Sequence, residues 1–159
     1  MPVPVDSVYM YDRILLPTDG SEGVDRATEH AIDAANRYGA TLHVLFVVDS
    51  GIVNAYSGDE FVHEFEGAEA TLEDVGEHAV ETVAERAAAV GVDTVTAIVH
   101  GSPHEEILRY VDDEGIDLTV MGSKNRPGDY RRMLGSVTER VSRMSAAPVS
   151  IVKTTVGGN

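Results

Sequence analysis

The sequence predicts an α/β fold with a single doubly wound sheet of five parallel strands and helices on both faces. The first observation is that short apolar runs alternate with segments of helical spacing along the 159 residues, the order typical of a parallel sheet. The second is that Thr41–Val48 is almost continuously apolar, as expected of a strand buried on both faces. The length suits one domain, with its core over about 12–153.

The first strand is predicted at Arg13–Pro17, a short apolar run that ends in a proline and the turn residues Thr18-Asp-Gly-Ser21. A helix follows from about 22 to 38, because four alanines recur at helical spacing and Gly39 is a typical stop. The second strand is the apolar run Thr41–Val48.

A loop is expected over 49–67, where glycines and acidic residues are scattered. Loops of this length are usually functional or mobile. A long helix is predicted from about 69 to 90, with Gly91 as its stop, and the third strand at Asp93–His100.

Two later helices are predicted to begin with a capping box, at Ser102–Glu105 and at Ser136–Glu139. Pro103 suits the first helical position. The remaining elements are helices over about 103–114 and 136–145 and strands over Leu118–Met121 and Val149–Val152.

The stretch from Met121 to Arg140 predicts an anion site. A buried strand, a loop with glycines and basic side chains, and a helix start at Ser136 follow one another. Free N–H groups and the helix dipole at such a start favour negative charge.

Charge singles out the same stretch. Residues 122–153 carry seven basic and two acidic side chains, whereas the whole chain has a net charge of −15. The plainer interpretation is that these basic residues form salt bridges with neighbouring acidic residues. The strand–loop–helix arrangement favours the other interpretation, an anionic ligand. The dispersed acidic excess indicates a halophile, in which salt shortens the Debye length to about 3 Å at 1 M, and it argues against nucleic-acid binding.

Several classes of protein are excluded. Without cysteine there is no disulfide or thiolate site, which suits a cytoplasmic protein. No apolar run approaches the roughly 20 residues of a membrane span, and the first twelve residues do not resemble a secretory signal. The P-loop and the dinucleotide fingerprint are absent. The six histidines are scattered, so we expect no metal site.

Asp19 and Gly122 each follow a predicted strand. Ligands of doubly wound sheets bind at the carboxyl ends of strands where the strand order reverses. In the order 3-2-1-4-5 that point lies between strands one and four. Asp19 would then accept a hydrogen bond from the ligand while the loop holds its anion. The alternative is that Asp19 only shapes a turn or caps a helix.

The chain resembles the universal stress proteins over about 12–153. Arg13-Ile-Leu-Leu-Pro-Thr-Asp-Gly-Ser21 is similar to that family's first strand, and Val99-His-Gly-Ser-Pro103 to its third strand and turn. Gly122 to Ser136, followed by Val137, resembles its nucleotide motif G-x2-G-x9-G-[S/T].

The resemblance implies the adenine nucleotide alpha hydrolase-like architecture with strand order 3-2-1-4-5. It also implies a homodimer through Val149–Val152. ATP or another adenine nucleotide, with or without Mg²⁺, is the implied cofactor. The residues carried over as its site are Pro17, Thr18, Asp19, Val47, Met121, Gly122, Asn125, Arg126, Gly128, Gly135, Ser136 and Val137.

Asn125 departs from the motif, which has glycine there. Glycine lets the backbone approach phosphate and permits positive φ. Asparagine is the best substitute for positive φ, and its amide can donate to phosphate, but its bulk can also crowd the site.

Two functions are therefore carried forward. The first is a cytoplasmic, nucleotide-linked stress regulator with at most slow ATP hydrolysis, because a Walker lysine is absent. The second, favoured by Asn125, is a family member that does not bind nucleotide and acts as a protein-interaction module. Its candidate surface is the segment 49–67, which would contact an unknown protein partner. A receiver domain is discounted, because Val99-His-Gly101 offers no aspartate.

Overall fold

The computed structural model describes residues 10–20, 24–49, 62–123 and 130–153, and for 62–71 and 130–135 it describes the helical backbone. The elements alternate as the sequence predicts. In chain order they are β1 (Arg13–Pro17), α1 (Asp25–Tyr38), β2 (Thr41–Asp49), α2 (Val62–Ala88), β3 (Thr94–Gly101), α3 (Pro103–Glu114), β4 (Leu118–Ser123), α4 (Tyr130–Met144) and β5 (Val149–Lys153).

The five strands form one parallel sheet in the order β3-β2-β1-β4-β5, which confirms the predicted fold class and topology. β2 lies near the centre and is buried along most of its length. The sheet therefore has a reversal of strand order between β1 and β4.

Helices cover both faces because successive strand residues point to opposite sides. Ile14, Leu16 and Phe46 belong to the apolar cluster under α1 and α2, whereas Leu15 and Leu45 belong to the cluster under α3 and α4. Buried apolar area of this kind is the main favourable term in folding.

Two glycine stops are confirmed. Gly39 and Gly115 end α1 and α3 in the left-handed conformation, with φ of 67° and 64°, and each N–H donates to the helix it closes. Glycine adopts this conformation without steric cost.

Two predictions about helix starts are wrong, and a third, the capping box of α3, is confirmed only in part. α2 begins at Val62, so 62–67 is helix and not loop, and 50–61 lies outside the described residues. α4 begins at Tyr130, which places Ser136 inside the helix and not at its cap. Ser102 does cap α3, but its side chain makes no capping hydrogen bond; its Oγ lies 3.4 Å from His104 Nδ1. An interior glycine costs only about 1 kcal/mol, so Gly67 and Gly135 do not end these helices.

Candidate functional site

The β1 and β4 strands are joined firmly at their amino ends. The Oδ2 atom of Asp117 accepts hydrogen bonds from the N–H groups of Asp12 and Arg13, at 2.8 and 3.0 Å. The N–H of Asp117 also donates to the carbonyl of Arg13, at 2.8 Å. These hydrogen bonds hold the chain segments that lead into β1 and β4 together where the β1–β4 ladder begins.

The same strands part at their carboxyl ends. Leu15 and Thr119 form the last pair of the β1–β4 ladder, although β1 continues to Pro17 and β4 to Ser123. Proline has no N–H to extend the ladder. The paired part of the two strands therefore ends before the point where the strand order reverses, and in this architecture ligands bind in the crevice outside such strand ends.

The residues after β1 form a fixed turn on the side of β2. The N–H of Thr18 donates to the carbonyl of Leu45 at 2.9 Å, and its Oγ1 accepts from the N–H of Gly20 at 3.1 Å. Gly20 has a φ of 79°, which favours glycine. Asp19 lies between them, half-buried, with Oδ2 removed from solvent. The turn thus fixes the backbone around the Asp19 carboxylate at the edge of the crevice.

Neighbouring strands complete the described part of the edge. Met121 is buried near the end of β4, and Gly122 beside it is half-buried and aligned with Val152 of β5. Val47 lies near the end of β2 and packs against the cluster under α3 and α4. Pro17, Thr18, Asp19, Val47, Met121 and Gly122 thus all lie at or near the carboxyl edge of the sheet.

The remaining candidates are located differently. Gly135, Ser136 and Val137 lie within α4, where Ser136 is exposed and Val137 packs against the sheet. Only the first four N–H groups of a helix are free of helical bonds, so the N–H of Ser136 is not one of them in this conformation. Asn125, Arg126 and Gly128 lie outside the described residues.

A cavity of about 310 Å³ opens beside the Asp19 turn. Gly20 and four residues of α2 line it, namely Asp74, Val75, His78 and Ala79. A Cβ on Gly20 would contact Val75 and Ala79 at 3.5 Å, an ordinary van der Waals distance. The turn therefore lies directly under α2.

Sequence reasoning missed two contacts at the same edge. Gly101 ends β3 with a φ of 150°, and a Cβ there would lie 2.6 Å from Glu106 Oε2. His100 Nε2 lies 2.7 Å from Glu73 Oε2 and joins β3 to α2. The only sequence signal for the close approach of Gly101 to Glu106 is the Gly-Ser-Pro sequence that follows His100.

The described residues contain no cluster of three or more acidic or histidine side chains that could hold a metal ion. Within the same ranges, no helix is long and apolar enough to span a membrane.

A parallel sheet with a crevice at its reversal of strand order defines the class of ligand-binding doubly wound α/β proteins. Residues 10–153 match the model of the universal stress protein family. The chain belongs to this family.

Individual relatives agree over nearly the whole chain. The universal stress protein MJ0531 of Methanocaldococcus jannaschii is 34% identical over 144 residues, which cover 91% of this chain and 83% of that protein. The solved structure of hypothetical protein MJ0577 is 31% identical, with a TM-score of 0.77, and the match covers 92% of this chain and 98% of that one.

A universal stress protein solved in complex with cAMP is 27% identical, with a TM-score of 0.66. That match covers 91% of this chain and 98% of that one. Solved structures of the family thus share the adenine nucleotide alpha hydrolase-like fold of this chain.

Proposed function

We propose that this protein is a cytoplasmic stress-response regulator that binds ATP or a related adenine nucleotide, as a single domain in a high-salt cell. The observation that carries this proposal is the early end of the β1–β4 ladder at the reversal of strand order, with the buried Oδ2 atom of Asp19 beside it. A family member 27% identical to this chain was solved in complex with cAMP, which supports an adenine nucleotide as the ligand.

The crevice offers suitable chemistry for the two ends of a nucleotide. The Asp19 carboxylate accepts hydrogen bonds from ribose hydroxyls or an adenine amino group. Pro17, Thr18 and Val47 supply a pocket wall for the base, next to Met121 and Gly122. The basic loop with Asn125, Arg126 and Gly128 binds the phosphates, with or without Mg²⁺.

Gly135, Ser136 and Val137 complete the proposed phosphate site through their backbone N–H groups. In an α-helix these groups donate to the carbonyls four residues earlier. Phosphate binding at Gly135–Val137 therefore requires the first residues of α4, 130–134, to uncoil.

Hydrolysis of the nucleotide is at most slow in this proposal. Phosphoryl transfer depends on a positioned cation, a base or water-orienting group, and charge stabilisation. The sequence has no Walker lysine, and it offers no clear general base or arginine finger beyond the loop arginines.

We further propose a homodimer that forms through β5. β5 is an edge strand; Ile151 within it is 46% exposed, and Met144 at the end of α4 is 63% exposed. An uncovered apolar edge promotes association.

Calorimetry with ATP and Mg²⁺ in molar salt tests the nucleotide proposal, with Asp19→Asn as the variant. Binding that weakens at least about tenfold in Asp19→Asn, the loss of one charged hydrogen bond, supports it. No heat and no thermal shift at millimolar ATP would refute it.

The second candidate, a protein-interaction module without nucleotide, is favoured by Asn125 in place of the motif glycine. Asn125→Gly separates the two functions. Binding of ATP by the Asn125→Gly variant alone assigns the natural protein to the second class.

A further inference from the structure

The outer side of β3 has no neighbouring strand in the part of the chain that the structure describes. The N–H of Leu42 donates to the carbonyl of Asp93 at 2.9 Å, and Leu42 is aligned with Thr94. In a parallel ladder this register directs the backbone groups of every second β3 residue away from β2. Those residues are Thr94, Thr96, Ile98 and His100.

Within the residues that the structure describes, β3 lacks the bulges, charges and prolines that commonly protect an edge strand. Each β3 residue pairs with one β2 residue, without a bulge, and Thr94–Val99 contains neither a charge nor a proline. Natural edge strands are commonly blocked by just these devices. Val95, which is 42% exposed, adds apolar surface beside the outer backbone edge.

An acidic row on α2 borders this edge. The Glu73–His100 contact at 2.7 Å fixes the side of α2 that faces β3. Glu77 and Glu81 follow at four-residue steps, and both are exposed. A strand added to β3 would therefore meet negative charge on its α2 face.

We propose that the outer edge of β3 is a docking surface for an extended segment of another protein, with Lys or Arg at alternate positions. The segment adds a sixth strand through the outward backbone groups of Thr94, Thr96 and Ile98. Because alternate side chains of a strand share one face, its basic residues all lie beside Glu77 and Glu81. Main-chain bonds thus supply affinity, and the acidic row supplies selectivity.

A second copy of this chain fits the same edge poorly. Two β3 strands paired antiparallel about a two-fold axis place both α2 helices on one face of the joined sheet. Their acidic rows then face each other across the junction. Like charges brought together in this way oppose association.

Fluorescence anisotropy with a labelled, end-capped peptide of four Lys-Val repeats tests the proposal on the full chain. Thr96→Pro removes one outward N–H, and proline is tolerated on edge strands where its nitrogen faces solvent. Thr96→Val is the matched control, because it keeps the N–H. We expect Thr96→Pro to weaken binding about tenfold and Thr96→Val by less than about twofold. Equal binding by the two variants overturns the proposal.

Charge is tested separately. Glu77→Gln with Glu81→Gln removes the acidic row, and Asp25→Asn with Glu29→Gln removes the same charge from α1. We expect the first pair to weaken peptide binding several-fold more than the second. Equal losses indicate general attraction to an acidic protein and contradict the proposed surface.

Hydrogen exchange of the unaltered chain keeps the test independent of any variant. We expect the peptide to slow exchange at the amides of Thr96 and Ile98 and to leave the amides of β5 unchanged. Unchanged exchange at both β3 amides refutes docking at this edge.

Discussion

The Nδ1 atom of His43 lies 2.7 Å from the hydroxyl oxygen of Tyr110, and this contact joins β2 to α3. The rings meet edge to face, and His43 is 5% exposed. Burial lowers the pKa of His43 below 6.5, with a further lowering by Arg13 and an opposing effect of Glu114. Burial and the Glu114 charge raise the pKa of Tyr110 to about 12. Both groups are therefore neutral in the fold near pH 7.

The first prediction is that stability falls as the pH drops below 6.5. The lowered pKa of His43 means that the unfolded chain binds more protons there, so stability is present above pH 6.5 and lost below it. The slope for one proton is at most about 1.4 kcal/mol per pH unit. Urea unfolding from pH 8 to 5 measures it. His43→Leu should flatten the profile and exposed His30→Gln should not; a profile unchanged by His43→Leu contradicts the prediction.

The second prediction concerns alkaline pH. The pKa of Tyr110 is raised from 10.0 to about 12, so the folded chain keeps a proton that the unfolded chain loses. This contribution is complete below pH 10 and is lost as the pH rises towards 12. Tyr110→Phe should remove this loss of stability at alkaline pH. At pH 7 it should also cost about 1–3 kcal/mol, because the Nδ1 atom of His43 loses its partner.

Unfolding monitored by far-ultraviolet circular dichroism between pH 8 and 11.5 checks the Tyr110 prediction. Tyr38→Phe, which alters the ring stacked edge to face on Tyr11, serves as the control for removing a hydroxyl. If stability depends on alkaline pH in the same way in both variants, the loss of stability does not arise from Tyr110.

The third prediction is that Gly76→Ala destabilises the protein despite its helical position. A Cβ at Gly76 would lie 2.6 Å from Cδ1 of Phe46, which is buried. Alanine favours the helix by about 1 kcal/mol, but overpacking costs about 1–3 kcal/mol. We expect a net loss of roughly 1 kcal/mol in urea unfolding, from the difference between these terms.

A second variant isolates the Phe46 contact. Phe46→Leu removes the ring that opposes the new methyl group, so Gly76→Ala in that background should be neutral or stabilising. The difference between Glu77→Gly and Glu77→Ala measures helix propensity alone at an exposed neighbouring position. An equal loss in both backgrounds would show that the strain arises elsewhere.

The strands could be predicted because local sequence decides them. Arg13–Pro17 is apolar and ends in a proline and a turn, and the structure has the same bounds. Gly39 and Gly115 mark helix ends correctly because each adopts positive φ. The carboxyl-edge position of Asp19 follows from strand order together with the general rule for ligand sites.

Contacts between distant residues could not be predicted from local patterns. The pairing of His43 with Tyr110 spans 67 positions, and the close approach of Gly101 to Glu106 depends on how β3 meets α3. The local sequence predicts a boundary at Gly135, but one interior glycine costs less free energy than the tertiary packing of the helix contributes. The start of α4 was therefore predicted too late.

The fourth prediction tests the proposed dimer. Ile151→Lys places a charge on the exposed surface of β5 and should give a monomer in sedimentation velocity at micromolar concentration. Val90→Lys adds the same charge at a residue that is 49% exposed and outside the sheet, so it should remain dimeric. A wild-type monomer, or dissociation by both variants alike, contradicts assembly through β5.

The fifth prediction concerns the proposed uncoiling of α4. If 130–134 must uncoil before Gly135–Val137 bind phosphate, helix propensity in that segment opposes ATP binding. Arg132→Gly and Arg132→Ala remove the same charge but differ in helix propensity by about 1 kcal/mol. We therefore expect Arg132→Gly to bind ATP up to about fivefold more tightly than Arg132→Ala in calorimetry. Equal affinities of these variants would show that ATP binds without uncoiling of α4. The phosphate site would then be assigned to the loop before Tyr130.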